Sequence, residues 1–233
     1  MNETGLPDQR AMRQIDHVPM EDWALPGDPF QLAAVSIHAA DWPALLPPES
    51  RQSLARAVDP VAQARAGASA WLKTRWLPRQ LGRETVAIEA GPHGKPKLTG
   101  PDADWGFNVS HAGDWAVIGL IRGADIGVDF ESLRRKVDIG VMGRRVLSPE
   151  ERETLRRSGD TATGFLMLWS QKEALLKALG SGWAHGDLVR RTRLQLVAYQ
   201  VEPVSGVSMW SRTVLEGAYV LSVGVRRRGR RNF

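Results

Sequence analysis

The chain has 233 residues, of which 42% are apolar, and this suits one large domain or two small domains that pack closely. It contains no cysteine, which excludes disulfide bonds and thiolate metal sites. Any bound metal is therefore expected to be a hard ion such as Mg²⁺, held by oxygen ligands. Lys and Arg number 31 against 26 Asp and Glu, and the formal charge of +5 favours an anionic partner.

The sequence shows no sign of membrane insertion or secretion. No apolar run approaches the roughly 20 residues that a membrane-spanning helix needs, and the opening MNETGLPDQR is polar. We therefore expect a cytoplasmic protein. The basic tail VRRRGRRNF, residues 225–233, is typical of a disordered solubilising end, and we expect it to bind neither nucleic acid nor membrane.

Residues 1–28 are polar and interrupted by proline, so we expect an arm that wraps on the body or attaches loosely. Residues 29–122 form the predicted N-terminal half. It starts with a strand at 30–38 and continues with helices in LPPESRQSLARAV and DPVAQARAGASAWLKTRWL, the second capped by Asp59 with Pro60 in first position. Three β-rich runs follow, ETVAIEA, WGFNVSHAG and DWAVIGLIR.

Residues 123–233 form the predicted C-terminal half, which begins with the strand ADIGVDFE. In LSPEERETL, Ser148, Pro149 and Glu151 predict a capped helix start with a capping box. The run TATGFLMLWSQKEALLKALGSG predicts a helix that ends near Gly180, and DLVRRTRLQLVAYQ, VSMWSRTVL and AYVLSVGVR predict three closing strands. The fold class is thus α+β, with two similar α/β halves in one chain, each a small mostly antiparallel sheet packed on helices.

Two acidic residues stand close together in GVDFE. Asp129 and Glu131 are two positions apart in a predicted strand, so their side chains leave the same face. If that face is buried, the two carboxylates need a cation or basic groups between them, whereas at an exposed strand end they need no partner.

The helix segment WSQKEALLK carries unusual charge for an apolar helix. Trp169, Glu173 and Lys177 recur at every fourth position and share one stripe. The Glu173 to Lys177 pair is compatible with an ordinary helix salt bridge worth roughly 0.2 to 0.5 kcal/mol. Together with Lys172, the segment also offers a carboxylate for a hard metal and two ammonium groups for phosphate oxygens.

Two shorter segments carry hydrogen-bonding groups. In FNVSHAG, Ser110 and His111 are adjacent in a strand and point to different sides, which disfavours a serine hydrolase. They suit phosphate binding or a plain turn before Gly113. GPHGKPKL is similar to a P-loop, but the glycine spacing is too short and Pro96 follows the lysine, so we reject that motif.

In order, GKPKL, FNVSHAGDW, IGVDFE, LSPEE and WSQKEALLK resemble the 4′-phosphopantetheinyl transferases, of the larger surfactin-synthetase-activating (Sfp) type with two similar halves in one chain. The resemblance covers about residues 56–182. It implies an Mg²⁺-dependent holo-[acyl-carrier-protein] synthase that moves the phosphopantetheine arm of coenzyme A to a serine of an acyl or peptidyl carrier protein and releases adenosine 3′,5′-bisphosphate.

The resemblance also implies residue roles. Asp129, Glu131 and Glu173 would bind Mg²⁺ with the coenzyme A pyrophosphate, and Glu173, Lys177 and Asp129 would be catalytic. Either Glu173 or a magnesium-bound water would take the proton of the carrier serine. The remaining coenzyme A contacts would be Lys172 and Lys177 on phosphate oxygens, Lys95 and Pro96 at the adenine, Ser110 and His111 at the phosphates, and Arg65 toward the nucleotide.

One departure concerns the carrier. The family often has an aromatic pair before the residue matching Ser148, where this chain has Val146 and Leu147. Carrier proteins are acidic, and suitable basic residues are Arg134, Arg135, Lys136, Arg144 and Arg145, although a solvated basic face would have the same composition. We expect a monomer with its site between the halves. The alternatives are a nucleic-acid-binding protein and a non-catalytic, carrier-binding relative.

Overall fold

A computed structural model of the chain describes residues 20–22, 24, 27–54, 56, 59–182, 190–196, 199–204 and 206–228. Most of the predicted arm, 1–28, and residues 229–233 lie outside the described residues. The helices are α1 (Trp42–Leu45), α2 (Pro48–Leu54), α3 (Pro60–Trp71), α4 (Leu77–Gln80), α5 (Ile139–Val146), α6 (Pro149–Arg157) and α7 (Thr161–Leu179), and a π-helical turn (Leu72–Trp76) joins α3 to α4.

The strands form two four-stranded antiparallel sheets and one hairpin. The first sheet has the order β1-β2-β6-β5 and consists of β1 (Met20–Asp22), β2 (Gln31–Ser36), β5 (Trp105–Ala112) and β6 (Trp115–Arg122). The second has the order β7-β10-β9-β8 and consists of β7 (Ala124–Ser132), β8 (Tyr199–Val204), β9 (Val207–Val214) and β10 (Tyr219–Arg227). The hairpin pairs β3 (Ile88–Ala90) with β4 (Pro96–Leu98). Two sheet-rich halves of mixed helix and antiparallel strand confirm the predicted fold class.

Helix starts follow the predicted capping residues. The Asp59 carboxylate accepts a hydrogen bond from the Ala62 amide at the start of α3. The predicted capping box is present in α6, where Ser148 and Glu151 exchange side-chain and backbone hydrogen bonds. Capping satisfies amide groups that lack a partner in the first helical turn, so local sequence alone determines these starts.

The two sheets share a core because β2 and β6 are buried on both faces. On β2, Leu32 and Ala34 pack against the second sheet, while Ala33 and Val35 pack against the helices of the first half. Helices α6 and α7 cover the outer face of the second sheet in a third cluster that includes Leu155 and Leu175. Helix, sheet, sheet and helix thus form successive layers. Within the described residues, every helix is too short or too polar to cross a membrane.

Three predicted elements differ from the structure. Residues 190–196, predicted as strand, contain none, because Glu151 binds the Leu194 amide and Lys172 binds the Thr192 carbonyl in place of a neighbouring strand. The basic tail was predicted to be disordered from Val225 onward, but β10 continues to Arg227 and pairs with β7 to that residue. In the segment ETVAIEA, only Ile88–Ala90 is a strand.

Candidate active site

Helix α7 lies unusually close to the second sheet because glycine faces it. A Cβ atom on Gly127 would lie 2.1 Å from the Ala174 carbonyl oxygen and 2.3 Å from the Ala178 nitrogen, and one on Gly224 would lie 3.0 Å from the same Ala174 oxygen. The helix ends as predicted at Gly180, which adopts the left-handed conformation. This contact brings the stripe of Trp169, Glu173 and Lys177 alongside β7.

The outer strands of the two sheets, β5 and β7, lie side by side and are joined by side chains. The Val128 amide donates to the Asn108 side-chain oxygen at 2.8 Å, and the Phe130 amide donates to Ser110 Oγ at 3.2 Å. The carbonyl groups along the same edge accept from two lysines, since Lys95 Nζ lies 2.9 Å from the Ile126 oxygen and Lys177 Nζ lies 3.0 Å from the Val128 oxygen. We call this side-chain junction, formed by Asn108, Ser110, Lys95 and Lys177 with β7, the seam.

A buried carboxylate and a lysine ammonium group form a salt bridge in the seam. Asp129 is 5% exposed, and its Oδ1 atom lies 2.7 Å from Lys177 Nζ, which also donates to Ser110 Oγ at 3.3 Å. Within the described residues, the buried Oδ2 atom of Asp129 has no hydrogen-bond partner. A buried carboxylate oxygen without a partner is costly, so this atom is suited to a cation that the described residues do not supply.

Glu131 lies on the same face of β7 as Asp129, as predicted. Its Oε1 atom accepts from the Trp169 indole at 3.1 Å and from Arg135, whose guanidinium also lies over the Trp169 ring at 5.7 Å. Burial and the neighbouring charge of Asp129 raise the pKa of Glu131, although Arg135 opposes the shift. A divalent cation would relieve the repulsion between the two carboxylates.

His111 and Arg65 lie close to the seam, near the end of β5. Arg65 Nε donates to the Gly113 carbonyl oxygen at 2.9 Å, which holds α3 against the turn that follows β5. Burial, then the charges of Arg65 and Lys177, lower the pKa of His111, and Asp129 opposes them only partly. The imidazole is therefore neutral at neutral pH and can either donate or accept a hydrogen bond.

A cavity of about 410 Å³ opens beside the seam. Lys95 and Pro96 line it, together with apolar side chains that include Leu98, Trp105 and Phe107. Burial lowers the pKa of Lys95 to about 8, because the nearby charge of Asp125 only partly compensates for the lost solvation. The structure thus brings Arg65, Lys95, Pro96, Ser110, His111, Asp129, Glu131 and Lys177 to one side of the molecule.

Lys172 is placed differently, and the phosphate contact predicted for it is wrong. Its side chain is fully buried, and its Nζ lies 3.0 Å from Glu151 Oε2 and 3.0 Å from the Thr192 carbonyl oxygen. The helix turns by about 100° per residue, so Lys172 points into the core while Glu173 belongs to the stripe along β7. The lysine stabilises the α6–α7 packing and cannot reach a phosphate group from there.

Within the part of the chain that the structure describes, no three acidic, histidine or cysteine side chains lie close enough to hold a metal ion. Lys177 and Arg135 occupy oxygens of Asp129 and Glu131 instead. The donor chemistry still fits a hard divalent ion, because Asp129 keeps a buried oxygen that has no partner among the described residues. The predicted Asp129, Glu131 and Glu173 site stays a prediction.

Residues 125–220, which contain Asp129, Glu131, Glu173 and Lys177, match the family model of the 4′-phosphopantetheinyl transferase superfamily. The similarity to that superfamily extends over these residues. The chain is similar to 4′-phosphopantetheinyl transferases psf-1 of Bacillus pumilus (32% identical, 46% of this chain and 45% of the relative), HetI of a Nostoc strain (38%, 42% and 44%) and Sfp of Bacillus subtilis (32%, 44% and 45%). The chain thus spans about half the length of the curated relatives that it matches.

Three residues at this site were missed by the sequence analysis. Asn108 lies within FNVSHAG, and its spacing of two from Ser110 places both side chains on one strand face. Arg135 was assigned only to a surface for the carrier, yet it binds Glu131. Asp125 starts the superfamily match and lines the cavity, and no local pattern distinguishes it from an ordinary strand-end acid.

Proposed function

We propose that this protein transfers the 4′-phosphopantetheine group of coenzyme A to a serine of an acyl or peptidyl carrier protein, releasing adenosine 3′,5′-bisphosphate. The observation that carries the proposal is the placement of Asp129, Ser110 and Lys177 on the seam, with His111 nearby, beside a partly apolar cavity. This arrangement offers separate places for the base of a nucleotide and for its phosphates.

The spacing between cavity and seam supports this assignment. Gly106 lines the cavity and Ser110 lies on the seam four residues further along β5, and Asp125 and Asp129 have the same relation on β7. At about 3.3 Å per residue, the two regions are roughly 13 Å apart. A nucleotide with its base in the cavity therefore reaches the seam with its diphosphate.

The charges of the seam support phosphate binding. Lys177 is partly exposed, whereas Asp129 is buried beside it, so an incoming phosphate can compete for the outer side of the ammonium group. Arg65 adds a guanidinium near His111. In this proposal Lys177 stabilises the charge that develops on the leaving phosphate, and the neutral His111 donates a hydrogen bond to a phosphate oxygen.

Mg²⁺ dependence is part of the proposal. Asp129, Glu131 and Glu173 would hold the ion, which when bound neutralises negative charge on the diphosphate. The chain itself positions these groups. Helix α7 carries Glu173 between Trp169, which contacts Glu131, and Lys177, which contacts Asp129. In this proposal, either Glu173 or a water molecule takes the proton of the carrier serine.

The proposed carrier partner is acidic. Arg134, Lys136, Arg144 and Arg145 are exposed beside the site, on and before α5, and complement such a partner. Arg135 is committed to Glu131 and Trp169 and belongs to the site instead. We propose that the protein acts in the cytoplasm as a monomer.

The test is to incubate an apo carrier with the protein, coenzyme A and Mg²⁺ and to measure the carrier by mass spectrometry. We expect the mass gain of one phosphopantetheine group, which depends on Mg²⁺. Asp129→Ala and Glu173→Ala should abolish the gain while the protein stays folded by circular dichroism. Asp104→Ala is the matched control, because Asp104 is an exposed acid paired only with Arg122 among the described contacts and should retain activity. An unmodified carrier with wild-type protein, across several apo carriers, would overturn the proposal.

A further inference from the structure

One end of the cavity is formed by an acid held between two arginines. Asp125 Oδ2 accepts from Arg226 Nη2 at 2.7 Å and from Arg226 Nε at 3.3 Å, and Asp125 Oδ1 accepts from Arg228 Nε at 2.9 Å. Arg228 also donates to the Ala103 carbonyl oxygen at 2.8 Å. All three side chains line the cavity. Strand β10 thus supplies residues to this cavity, although its basic end has the composition of a solubilising tail.

The acid stays ionised at neutral pH. Burial alone would raise its pKa, but hydrogen bonds from Arg226 and Arg228, with the charge of Lys95, outweigh burial and lower the pKa of Asp125. An ionised carboxylate only accepts hydrogen bonds. Because the two arginines fix its orientation, Asp125 presents a rigid acceptor toward the cavity, beside guanidinium groups that only donate.

The cavity also has apolar and aromatic side chains in its lining. Leu98, Trp105, Phe107 and Leu179 line the same cavity, on the hairpin side, on β5 and at the end of α7. Side chains of this kind suit a planar heterocycle, whose edge must then offer an N–H group to Asp125 and acceptor atoms to the arginines. The six-membered edge of adenine offers this combination, an exocyclic amine beside ring nitrogens, whereas a 6-oxo purine would place an oxygen against the carboxylate.

We propose that Asp125, clamped by Arg226 and Arg228, selects an adenine base in this cavity by accepting a hydrogen bond from its exocyclic amine. The inference rests on the proposed function, since it assigns the base end of the same nucleotide. It adds three specificity-determining residues that lie away from the reacting phosphates.

The test compares binding of adenosine 3′,5′-bisphosphate with binding of its inosine analogue, by isothermal titration calorimetry. The two ligands differ only where the amine is replaced by an oxo group and its ring proton. We expect the wild-type protein to bind the adenosine compound at least about tenfold more tightly, because a hydrogen bond to a charged group is lost and two acceptors face each other.

Four variants locate the effect. Asp125→Asn should bring the two affinities close together, because a carboxamide can either donate or accept. Arg226→Gln and Arg228→Gln should each reduce the preference by releasing one side of the carboxylate. Arg227→Gln is the matched control, because Arg227 is an exposed neighbour on β10 that does not line the cavity, and it should keep the full preference.

Equal affinity of the wild-type protein for both ligands, or binding of neither, would overturn the inference. So would an unchanged preference in Asp125→Asn, or a loss in Arg227→Gln as large as in Arg226→Gln. The transfer assay separates the two proposals. Transfer without base preference contradicts only the role of Asp125, and the predicted preference without transfer contradicts only the proposed function.

Discussion

Substituting alanine for Gly127 would test whether the spacing between α7 and β7 determines catalysis. The added Cβ would lie 2.1 Å from the Ala174 carbonyl oxygen, against roughly 3.3 Å for an ordinary close carbon–oxygen contact. Helix and strand must therefore separate by about 1 Å, since both contacting groups are backbone atoms that cannot rotate away. Overpacking of this kind costs about 1 to 3 kcal/mol of unfolding free energy.

The same displacement moves Glu173 and Lys177 away from Asp129. A misplacement of about 1 Å can reduce a rate by about 100-fold, so we expect a much larger loss of turnover than the stability change explains. The assay is the initial rate of carrier modification, with urea unfolding measured in parallel. Gly159→Ala is the control, because a Cβ on Gly159 has no heavy atom within 4 Å. Wild-type turnover in a stably folded Gly127→Ala protein would refute the reasoning.

Three further predictions concern single lysines. An anionic ligand binds the protonated ammonium group of Lys95 better than the neutral amine. Affinity for coenzyme A should therefore fall as the pH rises through about 8, the pKa of Lys95. Calorimetry on Lys95→Met should show no such fall. Lys172→Met should lower the free energy of unfolding in urea by about 3 to 5 kcal/mol, because Glu151 stays buried without its ammonium partner. Adding Glu151→Gln should recover part of that loss. Equal stability of all three proteins would show that the buried pair is not structural. Lys177→Ala should slow turnover more than it weakens carrier binding in steady-state kinetics, and an effect on carrier affinity alone would contradict its phosphate role.

Local patterns predicted most elements correctly because their causes lie within a few residues. The Ser148 and Glu151 capping box, the Asp59 cap and the glycine end of α7 each depend on hydrogen bonds close in sequence. Strand periodicity likewise placed Asp129 and Glu131 on one face. The segment 190–196 was missed because its backbone groups bind side chains on α6 and α7, which are distant in sequence.

Charge alone could not show which lysine of WSQKEALLK is structural and which lies at the candidate site. Lys172 and Lys177 have the same chemistry and flank Glu173, yet one is fully buried against Glu151 and the other lies on the seam with Asp129. Their difference depends on which helix face meets the sheet. That face is determined by Gly127 and Gly224, which no motif identifies as contact points.

The sequence by itself determined the helices and strands, the paired acids of β7 and the superfamily resemblance, because periodicity, capping and motif spacing are local properties. Only the tertiary structure decided that β5 and β7 meet through side chains, that Lys172 is structural and that the end of β10 enters the cavity. These depend on contacts between segments up to about a hundred residues apart, such as Asp125 with Arg226 and Arg228, and no local pattern encodes which distant partner a charged side chain will meet.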